Sequence, residues 1–117
     1  MRALVLMTCV LLTSCADERD RNVVYEVNKL DFEKSTLRIT YTGEGDRDVQ
    51  VAPVEVFDRW QSDTVYGIKE GKIVRLTVEA ISGNSRYEMR IYRGNGELTS
   101  REFHASAGGE VTLAEEL

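Results

Sequence analysis

The sequence predicts an all-β antiparallel sandwich of about seven short strands, and three observations predict it. Apolar and polar residues alternate with a period of two over Thr36–Thr42 and again over Ile73–Ile81, the repeat of a half-buried strand. Turn signals at Gly43-Glu44-Gly45-Asp46, Lys69-Glu70-Gly71-Lys72, Gly94-Asn95-Gly96 and Gly108-Gly109 punctuate the chain between such segments. No window beyond residue 22 sustains an i, i+3, i+4 apolar stripe, so essentially no helix is expected there. Short strands at this spacing specify a sandwich or barrel, and residues 23–117 are assigned to one immunoglobulin-like β-sandwich domain.

Residues 1–14 are of a different kind. Arg2 is followed by an eleven-residue, largely apolar run, Ala3 to Thr13, which closes on small residues and gives way to polar sequence. A basic start, a short apolar run and small residues at the cut mark a cleaved secretory signal, and eleven residues are too few to span a bilayer. The closing tetrad Leu12-Thr13-Ser14-Cys15 resembles the lipobox of bacterial lipoproteins. The resemblance implies removal of residues 1–14, thioether attachment of a diacylglyceryl group at Cys15, and acylation of the new amino terminus, typically by palmitate. Lipid on Cys15 then makes the membrane the protein's first partner. Two or three acyl chains anchor stably where one is marginal. Ala16 stands where an Asp would resemble the inner-membrane retention signal of Gram-negative lipoproteins, which makes the outer membrane the expected location. The acidic residues Asp17, Glu18 and Asp20 resemble the surface-export signal of Bacteroidota lipoproteins and read equally well as a solvated tether, so the periplasmic and surface faces both stay open.

Cleavage at that point leaves 103 of the 117 residues, enough for one modest core. Losing Arg2 leaves 14 basic against 20 acidic side chains. An acidic domain of this kind is not built to track nucleic acid, and no polybasic segment indicates a headgroup contact. Cys9 leaves with the signal and Cys15 carries lipid, so no cysteine pair remains for a disulfide.

The elements follow in order. Residues 15–22 are the lipidated cysteine and a charged tether, and Val23 to Val27 begins the first strand. Leu30 to Ser35 reads as a loop. In Thr36–Thr42, Leu37, Ile39 and Tyr41 face the core. After the Gly43–Asp46 turn, Val49, Val51 and Pro53 continue as the partner strand. Pro53 is the only proline and cannot donate to a ladder, which predicts an edge, an end or a bulge. Val54 to Trp60 returns to alternation, with Val54, Val56 and Trp60 on one side and Phe57 on the other. Val65 to Ile68 is a short extended piece. Ile73 to Ile81 reads as a central strand, Ser82-Gly83-Asn84-Ser85 as a loop, and Arg86 to Tyr92 with Leu98 to Ala105 as a hairpin about the Asn-Gly turn. Val111 to Leu113 closes the domain.

Tyr25-Glu26-Val27, Ile39-Thr40-Tyr41-Thr42, Trp60, Gly71 before an apolar strand, and Arg90-Ile91-Tyr92-Arg93-Gly94-Asn95-Gly96-Glu97-Leu98 follow one another as in the MmpS-like family, which residues 23–113 resemble. The resemblance implies a small membrane-tethered β-sandwich, of a family whose mycobacterial members are accessory partners of lipid transporters. Arg59 stands where that family usually has proline, and the cysteine pair of its mycobacterial members is missing.

No constellation for chemistry is present. His104 is the only histidine, with no second imidazole or free thiol to share a metal, and Ser100 and Ser106 lack a nucleophile-elbow context. Asp46 and Asp48 beside Glu44 supply too few oxygens at calcium-loop spacing, and Arg47 opposes a cation. No glycine-rich loop opens a helix. The expectation is a non-enzyme with no cofactor and no metal. Aromatics are the candidate contacts for a partner: Tyr92, with Phe103 beside it across the hairpin on the outer face, then Tyr66, and Trp60, which reads first as core, the usual place of a single tryptophan in a small sandwich. The leading functional expectation is a binding or accessory module for an envelope protein complex, and the alternative is a small-ligand or lipid carrier with a cavity between the sheets.

Overall fold

The computed structural model describes residues 22–56, 58–94 and 96–117. The signal segment, Cys15 and the tether as far as Arg21 lie outside the described residues, as do Phe57 and Asn95. The domain is all-β and antiparallel, with seven strands in one curled, sandwich-like sheet. These are β1 (Val23–Lys29), β2 (Ser35–Thr42), β3 (Asp48–Glu55), β4 (Arg59–Gln61), β5 (Ile73–Arg93), β6 (Gly96–Ser106) and β7 (Glu110–Glu116). The only helical turn among the described residues is a 3-10 turn at Glu44–Asp46.

β5, 21 residues long, is the axis of the fold. Its first half pairs with β2 on one side and β7 on the other, and its second half with β1 and β6. β3 extends the first layer beyond β2, and β4 extends the second beyond β1. The inner faces of both layers meet in one core, in which Tyr25, Val27, Leu37, Ile39, Leu76, Tyr87, Met89 and Ile91 are fully buried. At about 25 cal/mol per Å² of apolar surface removed from water, this packing is the main stabilising term for a domain without a cross-link.

Ser82–Ser85, expected as a loop, belongs to β5. Thr36 pairs with Ser82 while Leu37 pairs with Ala80, so Ile81 is an extra residue. An inserted residue reverses the parity of a strand and bends it. The buried set accordingly changes from Val74, Leu76, Val78 and Ala80 to Ser85, Tyr87, Met89 and Ile91. Gly83 allows the corner: its φ is 91°, and a Cβ there would stand 2.2 Å from the Lys34 carbonyl oxygen. Turn-forming residues here bend a strand and do not interrupt it.

Val54 to Trp60 is divided between the two layers. Val54 and Glu55 end β3, and Arg59–Gln61 form β4 on the far side. The alternation is nevertheless kept, because Val54 pairs with Leu37, Trp60 pairs with Val27, and Val56 is buried between them. Pro53 lies on an edge strand at a register shift opposite Arg38, where no ladder donor is missed.

Candidate interaction site

The four aromatics singled out from the sequence are not brought together. Trp60 is half-buried against the core, its ring 5.9 Å from Tyr41, which in turn lies 4.9 Å from Tyr25. Tyr92 is on the outer face, where its hydroxyl accepts a hydrogen bond from Arg90 Nη1 at 3.2 Å. Tyr66 is 58 % exposed in the segment between β4 and β5.

Phe103 departs from expectation. It pairs with Tyr87, and the two rings stack at 5.5 Å, so Phe103 is on the inner face and Tyr92 on the outer. The cause is a second bulge. Tyr92 pairs with Glu97 but Ile91 with Thr99, and the extra residue, Leu98, reverses every later side chain of β6. Without it, Phe103 would stand on the face of Tyr92.

Among the described residues a different aromatic has the greatest exposure. Phe32, in the loop between β1 and β2, is 103 % exposed, and Leu30 beside it 43 %. The loop carrying them is held at both ends. Leu30 N donates to the Arg86 carbonyl at 2.9 Å, and Arg86 N donates to Asp31 Oδ2 at 2.9 Å. Asp31 Oδ1 accepts from Glu33 N at 3.2 Å, a local turn of the kind aspartate favours. Buried Ser85 donates to the Glu33 carbonyl at 3.0 Å, and the hydroxyls of Ser35 and Tyr87 bond to each other in the core. The β5 corner thus supplies a platform on which an apolar ring is presented to solvent. Burying such a ring against a partner gains about 1.5–3 kcal/mol, and a loop fixed beforehand loses little entropy on docking. The sequence carried a signal for it, an aromatic among charges in Asp31-Phe32-Glu33-Lys34, which periodicity does not weigh.

The position of this loop is set by β1. The chain enters β1 at Val23, which exchanges backbone hydrogen bonds with Val65 and pairs with Arg93. It leaves β1 at Lys29, opposite Tyr87. At about 3.4 Å per residue the Phe32 loop therefore lies roughly 20 Å along the strand from the point of entry.

At the entry end, an open groove of about 390 Å³ is lined by Tyr41, Glu44, Arg47, Asp48, Asp63 and Val65, among others. Burial, helped by the charge of Asp63, raises the Tyr41 pKa and keeps its hydroxyl protonated. A second groove, of about 260 Å³, runs between Asp46 and the Gly67–Lys72 segment. His104 is exposed on β6 opposite Arg86, and no cluster of potential metal ligands occurs among the described residues. No helix among the described residues is long and apolar enough to cross a membrane. In comparisons with known proteins, no family model, curated protein or solved structure matches the chain.

Proposed function

We propose that this protein is a lipid-anchored envelope lipoprotein, held by acyl chains on Cys15, whose β domain is a non-enzymatic binding module for an envelope protein complex. One observation carries the reading: Phe32, the most exposed aromatic among the described residues, sits on a hydrogen-bonded loop at the opposite end of β1 from the chain's entry. A tether at the entry end turns that loop away from the bilayer, toward a protein partner. The lipobox tetrad and Ala16 support an outer-membrane anchor, and the MmpS-like resemblance supports an accessory role.

The test is cross-linking in intact envelopes, followed by capture of the full-length lipidated protein and of its Phe32→Ala variant. The expected result is one envelope protein recovered with the native chain and lost with Phe32→Ala, while the melting temperature of the variant is unchanged. Equal recovery by both proteins sinks the Phe32 assignment. Absence of acyl mass on the peptide beginning at Cys15 sinks the anchor.

A further inference from the structure

The groove at the entry end differs in chemistry from the Phe32 loop. Tyr41 forms an aromatic wall, half-buried and in tilted contact with Trp60, and Val65 supplies an apolar flank. Three carboxylates, Glu44, Asp48 and Asp63, share the groove with one guanidinium, Arg47. The turn that carries Glu44 and Arg47 and leads into Asp48 is fixed by Gly43 N donating to the Arg47 carbonyl at 2.6 Å, while Asp63 comes from the segment after β4. A Cβ at residue 43 would meet Val49 at 2.5 Å, so glycine lets the turn close there.

Carboxylates outnumbering a single cation beside a π face suit a ligand that carries an ammonium next to an anion. A primary ammonium fits better than a quaternary one, since carboxylates accept its N–H donors, whereas a quaternary group is held by a cage of several rings. Arg47 is the complement of an adjoining phosphate. Val65 lines this groove and pairs with Val23, the first residue of β1. The seven steps from Cys15 to Asn22 extend at most about 24 Å. If Cys15 is anchored, the groove is within reach of the headgroup layer.

From this juxtaposition we infer that the Tyr41–Asp63 groove binds the phosphoethanolamine headgroup of a membrane lipid, with Asp48 and Asp63 on the ammonium, Arg47 on the phosphate and Tyr41 along the ethylene. This docking rests on the lipid-anchored reading and adds to it a second, non-covalent contact that fixes the orientation of the domain. The contact is not legible as a basic run, because the headgroup it takes is zwitterionic.

Trp60 is the chain's single tryptophan and its ring lies 5.9 Å from that of Tyr41, tilted by 48°, so its fluorescence reports on the groove wall. The full chain, purified with its anchor in a phosphate-free detergent, is titrated with O-phosphoethanolamine, phosphocholine, inorganic phosphate and glucosamine. The expected result is a saturable response to phosphoethanolamine, at least about ten-fold weaker with phosphocholine and absent with phosphate alone. Asp63→Asn and Asp48→Asn each weaken it about ten-fold, the scale of a charge-assisted hydrogen bond, while their melting temperatures stay native. No saturable response, equal responses to the two phosphoamines, or a glucosamine response matching phosphoethanolamine overturns the assignment. In a second arm the protein is reconstituted into phosphatidylcholine vesicles with and without phosphatidylethanolamine. Slower amide exchange over residues 62–66 with phosphatidylethanolamine alone is expected. Unchanged exchange, despite binding of the free compound, overturns the membrane as the source. The mass of the Cys15 peptide is read on the same sample, so loss of the anchor is distinguished from failure of the groove.

Discussion

The phenol of Tyr25, the third residue of β1, donates to the carbonyl of Thr42, the last residue of β2, at 2.7 Å, joining the two layers near the end where the chain enters. Burial raises the Tyr25 pKa far above its ordinary value, and the hydrogen bond to Thr42 only partly offsets this. An unfolded tyrosine ionises near pH 10, while folded Tyr25 keeps its proton. The folded state therefore binds more protons above that pH, and stability falls as pH rises through it. Tyr41 adds to the effect in the same direction. Urea midpoints are expected to lose nothing to these groups between about pH 7 and 9 and to fall above about pH 10. Tyr25→Phe should flatten the alkaline fall and cost about 1 kcal/mol at neutral pH through the lost hydrogen bond.

Gly83 is the tightest position in the corner. Alanine there would combine a φ of 91° with a Cβ 2.2 Å from the Lys34 carbonyl oxygen and 2.6 Å from Ser35 Cα. We expect Gly83→Ala to cost about 3 kcal/mol, from backbone strain and overpacking together. Gly71 has a similar φ of 87° but open space around it, so Gly71→Ala should cost only about 1 kcal/mol. Denaturant unfolding of the two variants checks the contrast.

Two phenylalanines separate stability from recognition. Phe103 stacks on buried Tyr87, and Phe103→Ala is expected to lose about 2–3 kcal/mol, less than a fully buried ring because the residue is only half-buried. Phe32→Ala should lie within about 0.5 kcal/mol of the native protein. A combined variant measured by urea unfolding should show the two effects adding.

Ser85 is fully buried, and its hydroxyl holds the Glu33 carbonyl at 3.0 Å. Ser85→Ala leaves that carbonyl without its donor, at a cost of about 1–2 kcal/mol. The expected signature is local: amide exchange at Glu33 and Lys34 accelerates more than exchange in β1 or β6.

The alternation of Thr36–Thr42 and Ile73–Ala80, and the hairpin about Gly94 to Gly96, made the all-β architecture legible, because exposure on one face imprints a period of two. The single-residue bulges at Ile81 and Leu98 left no such imprint. Each is fixed by how a strand meets its neighbours across the sheet, and each reverses all side chains beyond it. That is why Phe103 read as an outward partner of Tyr92 and is instead an inward partner of Tyr87. Phe32 escaped for the opposite reason. A loop residue has no period, and its exposure is set by the hydrogen bonds of Asp31, Ser85 and Arg86, which come together only in the folded corner.

The continuity of β5 also governs the order in which the chain can fold. Val23 pairs with Arg93, and until β5 is available β1 has only the three-residue β4 beside it, while β2 has only the edge strand β3. Contacts so distant in sequence form slowly, because a long loop must close before they stabilise anything. A nascent chain ending before residue 73 therefore holds at most the β2–β3 hairpin and the three-residue β1–β4 pairing, too little sheet to persist in water. If the chain is exported as proposed, delivering the organising strand late keeps it open during passage, and both layers then close together once Ile73–Arg93 has emerged.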